Sequence, residues 1–141
     1  MAAVNRRLVF SLLVALAALV AVTATASAKL VGFQSPSHNI GCYMDGHGVR
    51  CDVREHSWQA PPKPSYCDVD WGGGVAVDRH GAAGYVCAGD TTLDPNHPVL
   101  QYGEKIARGR FKCKSKQSGM KCLNTRNKHG FVVSRDSVDL F

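Results

Sequence analysis

The chain has 141 residues, 45 % of them hydrophobic, with 17 lysines and arginines against 11 aspartates and glutamates. That length is of the order of one domain with a modest core. Six cysteines without a C-x-x-C pair argue against a zinc site, and cysteines bound in disulfides cannot act as nucleophiles.

The first segment reads as a targeting signal. Arg6 and Arg7 precede an apolar run from Leu8 to Val22, and Ala26-Ser27-Ala28 supplies a small-x-small cleavage pattern. The run is shorter than the roughly 20 apolar residues that a membrane span needs. Residues 1–28 are therefore expected to be a signal peptide and 29–141 an exported, single disulfide-rich β-domain. Contact with a membrane would come only through an uncleaved signal.

Beyond residue 28 no long stretch keeps the apolar i, i+3, i+4 spacing of a helix. Short apolar or alternating runs broken by Gly, Asn, Asp and Pro predict strands near Ile40–Met44, Val49–Val53, Val75–Val77, Gly84–Cys87, Phe111–Ser115, Met120–Asn124 and Phe131–Ser134. The expected fold is all-β, a small disulfide-stapled barrel or sandwich of short antiparallel hairpins.

All six cysteines lie in this part, and an even count in an exported domain reads as three disulfides. Six cysteines allow 15 pairings, so spacing alone fixes none. Hairpin geometry favours one. If Gly46-His47 is a two-residue turn, counting outward makes Cys42–Cys51 a non-hydrogen-bonded pair, the kind whose Cα atoms come closest. Cys113 and Cys122 are likewise nine residues apart. Their turn, near Lys116–Gly119, suits either two residues or a longer type I turn with Gly119 left-handed. Cys67–Cys87 follows by elimination. The two hairpins share an apolar-x-Cys start and a Gly-apolar-basic-Cys finish, a pattern on which two stapled hairpins converge without duplication.

Between them, Trp58 to Cys67 carries Pro61, Pro62 and Pro64 and reads as a stiff extended connector. Trp71-Gly72-Gly73-Gly74 reads as a flexible turn. It lacks the Lys-Ser/Thr ending of a phosphate-binding loop, and no cofactor is expected.

Charge is unevenly spread. Residues 29–100 hold five basic and eight acidic side chains, net −3, whereas 101–141 hold ten and three, net +7. Such asymmetry suggests an anionic partner. Arg110, Lys112, Lys114 and Lys116 alternate with Phe111, Cys113 and Ser115, so in a strand the four cations share a face. With a two-residue turn Lys121 falls opposite Lys114 and joins them. This hairpin face is the candidate anion-binding surface, although lysines on exposed strands also serve to block edge aggregation.

Catalytic signals are weak. His38, His47, His56, His80, His97 and His129 form no H-x-H or H-x-x-x-H pair, and no G-x-S-x-G context is present. A small secreted hydrolase is the rival reading and would need a cleft gathering a histidine and a carboxylate. A protease inhibitor is weaker, because Pro64 follows Lys63, the exposed basic residue of the proline loop.

Phe33-Gln-Ser-Pro-Ser-His-Asn-Ile-Gly-Cys42, Gly48-Val-Arg-Cys-Asp52, Val86-Cys-Ala-Gly-Asp-Thr91, Met120-Lys-Cys-x-Asn124 and His129-Gly-Phe-x-x-Ser-Arg135 together resemble a family of small secreted actinobacterial proteins of unknown function. The resemblance spans nearly all of 29–141. It implies an exported protein from such a source and supplies no catalytic or ligand residues. The combined expectation is a monomeric, non-enzymatic binding or envelope-associated domain. Its partner would be an anionic cell-envelope polymer or glycan rather than a specific nucleic acid.

Overall fold

The structure, a computed structural model, describes residues 29–141. The segment read as a signal peptide, 1–28, lies outside the described residues. Ten strands follow one another: β1 (Val31–Gln34), β2 (Ile40–Met44), β3 (Gly48–Val53), β4 (Trp71–Asp78), β5 (Gly84–Cys87), β6 (Lys105–Arg108), β7 (Phe111–Lys116), β8 (Gly119–Asn124), β9 (Gly130–Val133) and β10 (Val138–Leu140). They form two antiparallel five-stranded sheets, β1-β2-β3-β4-β5 and β10-β9-β8-β7-β6, in each of which neighbours in sequence are neighbours in space. The described residues contain no helix.

The period of two explains the packing. In β7, Phe111, Cys113 and Ser115 are buried while Lys112 and Lys116 are exposed. Phe33, Ile40, Met44, Val49, Val75 and Val77 from the first sheet and Phe111, Met120, Phe131 and Val133 from the second close a common core. The sheets meet as a sandwich, β3 and β4 against β8 and β9.

Disulfides join Cys42–Cys51, Cys67–Cys87 and Cys113–Cys122. The first and third each link directly opposed residues with Cα atoms 4.1 Å apart. Both are fully buried, and the Sγ atoms of Cys51 and Cys122 lie 3.9 Å apart across the sandwich. At the first hairpin Asp45 N donates to Gly48 O (3.0 Å), and the Asp45 carboxylate accepts from His47 N and Gly48 N. At the second, Lys116 pairs with Gly119, leaving Gln117-Ser118 as the turn.

The two halves repeat one meander in register. Phe33 faces Cys42 as Ile106 faces Cys113; Val75 flanks Cys51 as Phe131 flanks Cys122; Val77 flanks Val49 as Val133 flanks Met120. On the outer faces Gly32, Gly41, Tyr43 and Arg50 therefore correspond to Lys105, Lys112, Lys114 and Lys121.

One segment breaks the correspondence. Residues 88–100 cross the outer face of the first sheet from the β5 edge to the β1 edge. Asp90 pairs with Arg50 at 2.7 Å. Thr92 accepts at Oγ1 from Asp52 N (3.1 Å) and donates to Gly41 O (2.6 Å), while its own N donates to the Asp52 carboxylate (2.9 Å). The His97 ring lies on Gly32, where any side chain would collide with it. At the far edge Gln34 exchanges backbone bonds with Pro98 O and Leu100 N.

The glycine run 71–74 is not a flexible turn. It lies in β4, paired with β3 at Gly74 and interrupted toward β5 by a bulge between Trp71 and Val75. Its glycines make room: a Cβ at Gly74 would strike the Asp52 carboxylate, and Gly72, at φ +78°, lies under the Ala60 methyl.

Candidate anion-binding face

The outer face of the second sheet carries the lysines. Lys105, Lys114 and Lys121 are paired in register on β6, β7 and β8, a row across strands spaced about 4.8 Å apart. Lys112, Lys114 and Lys116 form a column along β7, roughly 7 Å between neighbours. All five line one open groove of about 430 Å³, with Leu123 and Thr125. The Lys121 ammonium also sits 5.2 Å above the Phe141 ring, a cation–π contact.

No carboxylate answers them. Among the described residues the ion pairs within 4.0 Å are Arg50 with Asp52 and Asp90, and His97 with Asp94. All of these belong to the first sheet and its crossing segment. Burial disfavours the Arg50 cation, but the hydrogen bonds it donates to the Asp52 and Asp90 carboxylates, with their charges, outweigh it and raise the Arg50 pKa. The same contact holds the Asp90 carboxyl below its ordinary value. The first sheet thus neutralises its outer charge internally, and the second does not.

Arg110 stands elsewhere. Gly109, at φ +55°, and Arg110 form the β6–β7 turn, and Arg110 does not line the groove. Burial first, then the charges of Arg126 and Arg79, lower its pKa. Lys105, absent from the sequence reading, takes its place in the groove. The signal for it was the exposed-inward alternation of Lys105–Arg108, masked because a four-residue edge strand carries little pattern of its own.

The histidines are dispersed. His38 bonds Gln34 (2.9 Å), His56 stacks on Trp58 with centroids 3.7 Å apart, and His129 Nδ1 lies 3.3 Å from Phe141 O. His97 approaches a carboxylate, Asp94 at 3.8 Å, but its side chain is 9 % exposed and packed edge-on to Tyr43. Among the described residues no group of three His, Cys, Asp or Glu side chains is placed to hold a metal ion. In the proline loop Lys63 is exposed, and the Pro61 carbonyl accepts from the Trp71 indole (2.8 Å), tying that loop to β4.

A family model described as a family of unknown function (DUF6636) matches residues 9–141. No curated protein matches, and no solved structure does.

Proposed function

Since the chain belongs to this family of unknown function, we propose its role from its own residues: an exported, non-enzymatic binding domain whose second-sheet face holds an anionic polymer or glycan of the cell envelope. The observation that carries this reading is the five-lysine groove without a carboxylate within 4.0 Å. Like charges directly opposed across strands destabilise a sheet. Lys105–Lys114 and Lys114–Lys121 are two such pairs side by side. A bound polyanion offsets that repulsion.

The first sheet supplies the contrast. Where it carries Gly32 and Gly41 to admit its own crossing segment, the second carries Lys105 and Lys112, which keep the face open and charged. Three disulfides fit an oxidising, extracellular setting.

The test is binding of the protein to an isolated cell-wall fraction across a salt series, beside a variant with Lys112, Lys114, Lys116 and Lys121 changed to Gln. Wild-type binding should weaken steeply with salt, because exposed charge attraction is screened over about 10 Å at 0.1 M, and the variant should not bind. Equal binding by both proteins, or by neither, rejects the reading.

A further inference from the structure

A second group of cations stands apart from the groove, at the end of the sandwich where the β2–β3, β4–β5, β6–β7 and β8–β9 connections meet. Arg79 donates from Nε to Gly46 O at 2.7 Å. Gly46 lies against Gly109, so close that a Cβ added there would stand 3.7 Å from the Gly46 Cα. Arg110 follows Gly109, and its carbonyl accepts from both Thr125 N (2.7 Å) and Thr125 Oγ1 (2.9 Å). Arg126 follows Thr125.

One side chain organises this end. Asn124 is fully buried at a strand end. It donates from Nδ2 to Asp78 O (3.0 Å) and Arg79 O (3.4 Å) and accepts at Oδ1 from Arg126 N (3.0 Å). Three arginines from both sheets are thus pinned by their backbones around one amide and its neighbour. Among the described residues none has a carboxylate within 4.0 Å. The nearest acid in sequence, Asp78, spends its carboxylate on His80 N and Gly81 N, both at 2.8 Å.

We propose that Arg79, Arg110 and Arg126 form a binding site for a tetrahedral oxyanion, a phosphate or sulfate group, separate from the lysine groove. Guanidinium is a planar fork that takes two oxygens of such a group at once, where an ammonium offers only a point charge. Holding three forks on fixed backbones reduces the ordering cost of binding. It also brings like charges toward one another: burial first, then the charges of Arg126 and Arg79, lower the Arg110 pKa. The two sites differ in chemistry. The groove is an array of five lysines suited to a long polyanion, and the arginine site brings three residues to one end of the sandwich, a grouping suited to one compact anion.

The experiment titrates the protein with inorganic phosphate, inorganic sulfate and glycerol 1-phosphate, at ionic strength held constant with chloride, while arginine Nε–Hε resonances are followed. Saturable binding of one anion per chain is expected, and tighter binding of the ester than of free phosphate would identify the source as an ester. Arg126→Gln should weaken binding about tenfold or more, as loss of a charge-assisted hydrogen-bonding partner does. Its side chain makes none of the hydrogen bonds described, so the fold should be unaffected. Arg110→Lys keeps the charge but loses the fork and should also weaken binding. The quadruple Lys→Gln variant should bind within about twofold of wild type. Absence of saturable binding, equal binding by Arg126→Gln, or equal loss in the lysine variant overturns the proposal.

Discussion

Thr92 is the side chain on which the crossing segment of the first sheet depends. It is 3 % exposed, and its hydroxyl stands between two strands, accepting from Asp52 N on β3 and donating to Gly41 O on β2. Thr92→Val keeps the shape and removes both bonds. Asp52 N and Gly41 O still face each other as a hydrogen-bonded pair of the β2–β3 ladder, so the loss is that of the two bonds to the hydroxyl, about 0.5–1.5 kcal/mol each. The expected destabilisation is about 1–3 kcal/mol, set against the roughly 5–15 kcal/mol that domains typically have. In urea, with a slope of about 2 kcal/mol per M, the midpoint should fall by roughly 0.5–1.5 M. Thr92→Ser keeps the hydroxyl and should cost about 1 kcal/mol or less, the value of one methyl group. Thr125→Val removes a hydroxyl that bonds Arg110 O at an exposed site, and should cost less than about 0.5 kcal/mol. If Thr92→Val loses under about 1 kcal/mol, or no more than Thr92→Ser, the hydroxyl is not what fastens the segment and the reasoning fails.

Loop length alone ranks Cys67–Cys87, separation 20, above Cys113–Cys122, separation 9, at about 3.3 against 2.6 kcal/mol. Because the sulfurs of the latter are fully buried, Cys113→Ala with Cys122→Ala should nonetheless cost more in urea melts than Cys67→Ala with Cys87→Ala; the opposite order would show that chain entropy governs. Gly119→Ala should destabilise by about 2 kcal/mol or more, since Gly119 has φ +129° and any Cβ would collide with Val133 O; a thermal melt within a degree of wild type would contradict this. The carboxyls of Asp78, bonded by Gly81 N and His80 N, and Asp90, bonded by Arg50, are held below the ordinary 3.8. Folded values below unfolded ones mean that their contribution is full above about pH 4 and is lost as pH falls through the folded values, so acid melts of Asp90→Asn should show a weaker pH dependence than wild type in that window.

How much of this was legible follows from what each element depends on. β2, β3, β7 and β8 are central strands whose buried cysteine and apolar neighbours repeat every second residue, and the two-residue turns at Gly46-His47 and Gln117-Ser118 fix their register. That is local information, and the lysine column on β7 follows directly from it. β1, β6 and β10 were not legible. All three are edge strands of three or four residues, formed because one neighbour offers a ladder rather than because of their own pattern. Missing β6 hid Lys105 and left Arg110 drawn as a strand residue when it belongs to the turn. The glycines misled for a related reason. Gly32, Gly41 and Gly74 are needed for close approach of His97, Thr92 and Asp52, and contacts between residues so far apart in sequence leave no periodic trace. The arginine grouping depends on Asn124 reaching a loop 45 residues away, which no local pattern records.

Disulfide exchange proceeds by attack of a thiolate on a sulfur of an existing bridge. Cys51 and Cys122 belong to different bridges, yet their sulfurs are 3.9 Å apart. Opening either bridge therefore creates a nucleophile already beside the other. A partly reduced sample has a short path to a Cys51–Cys122 cross-link between the two sheets, a bond that the native protein lacks. Peptide maps of such a sample will report shuffled pairings unless free thiols are trapped in acid before digestion. A Cys51–Cys122 peptide found without that precaution records the chemistry of the sample and not its fold.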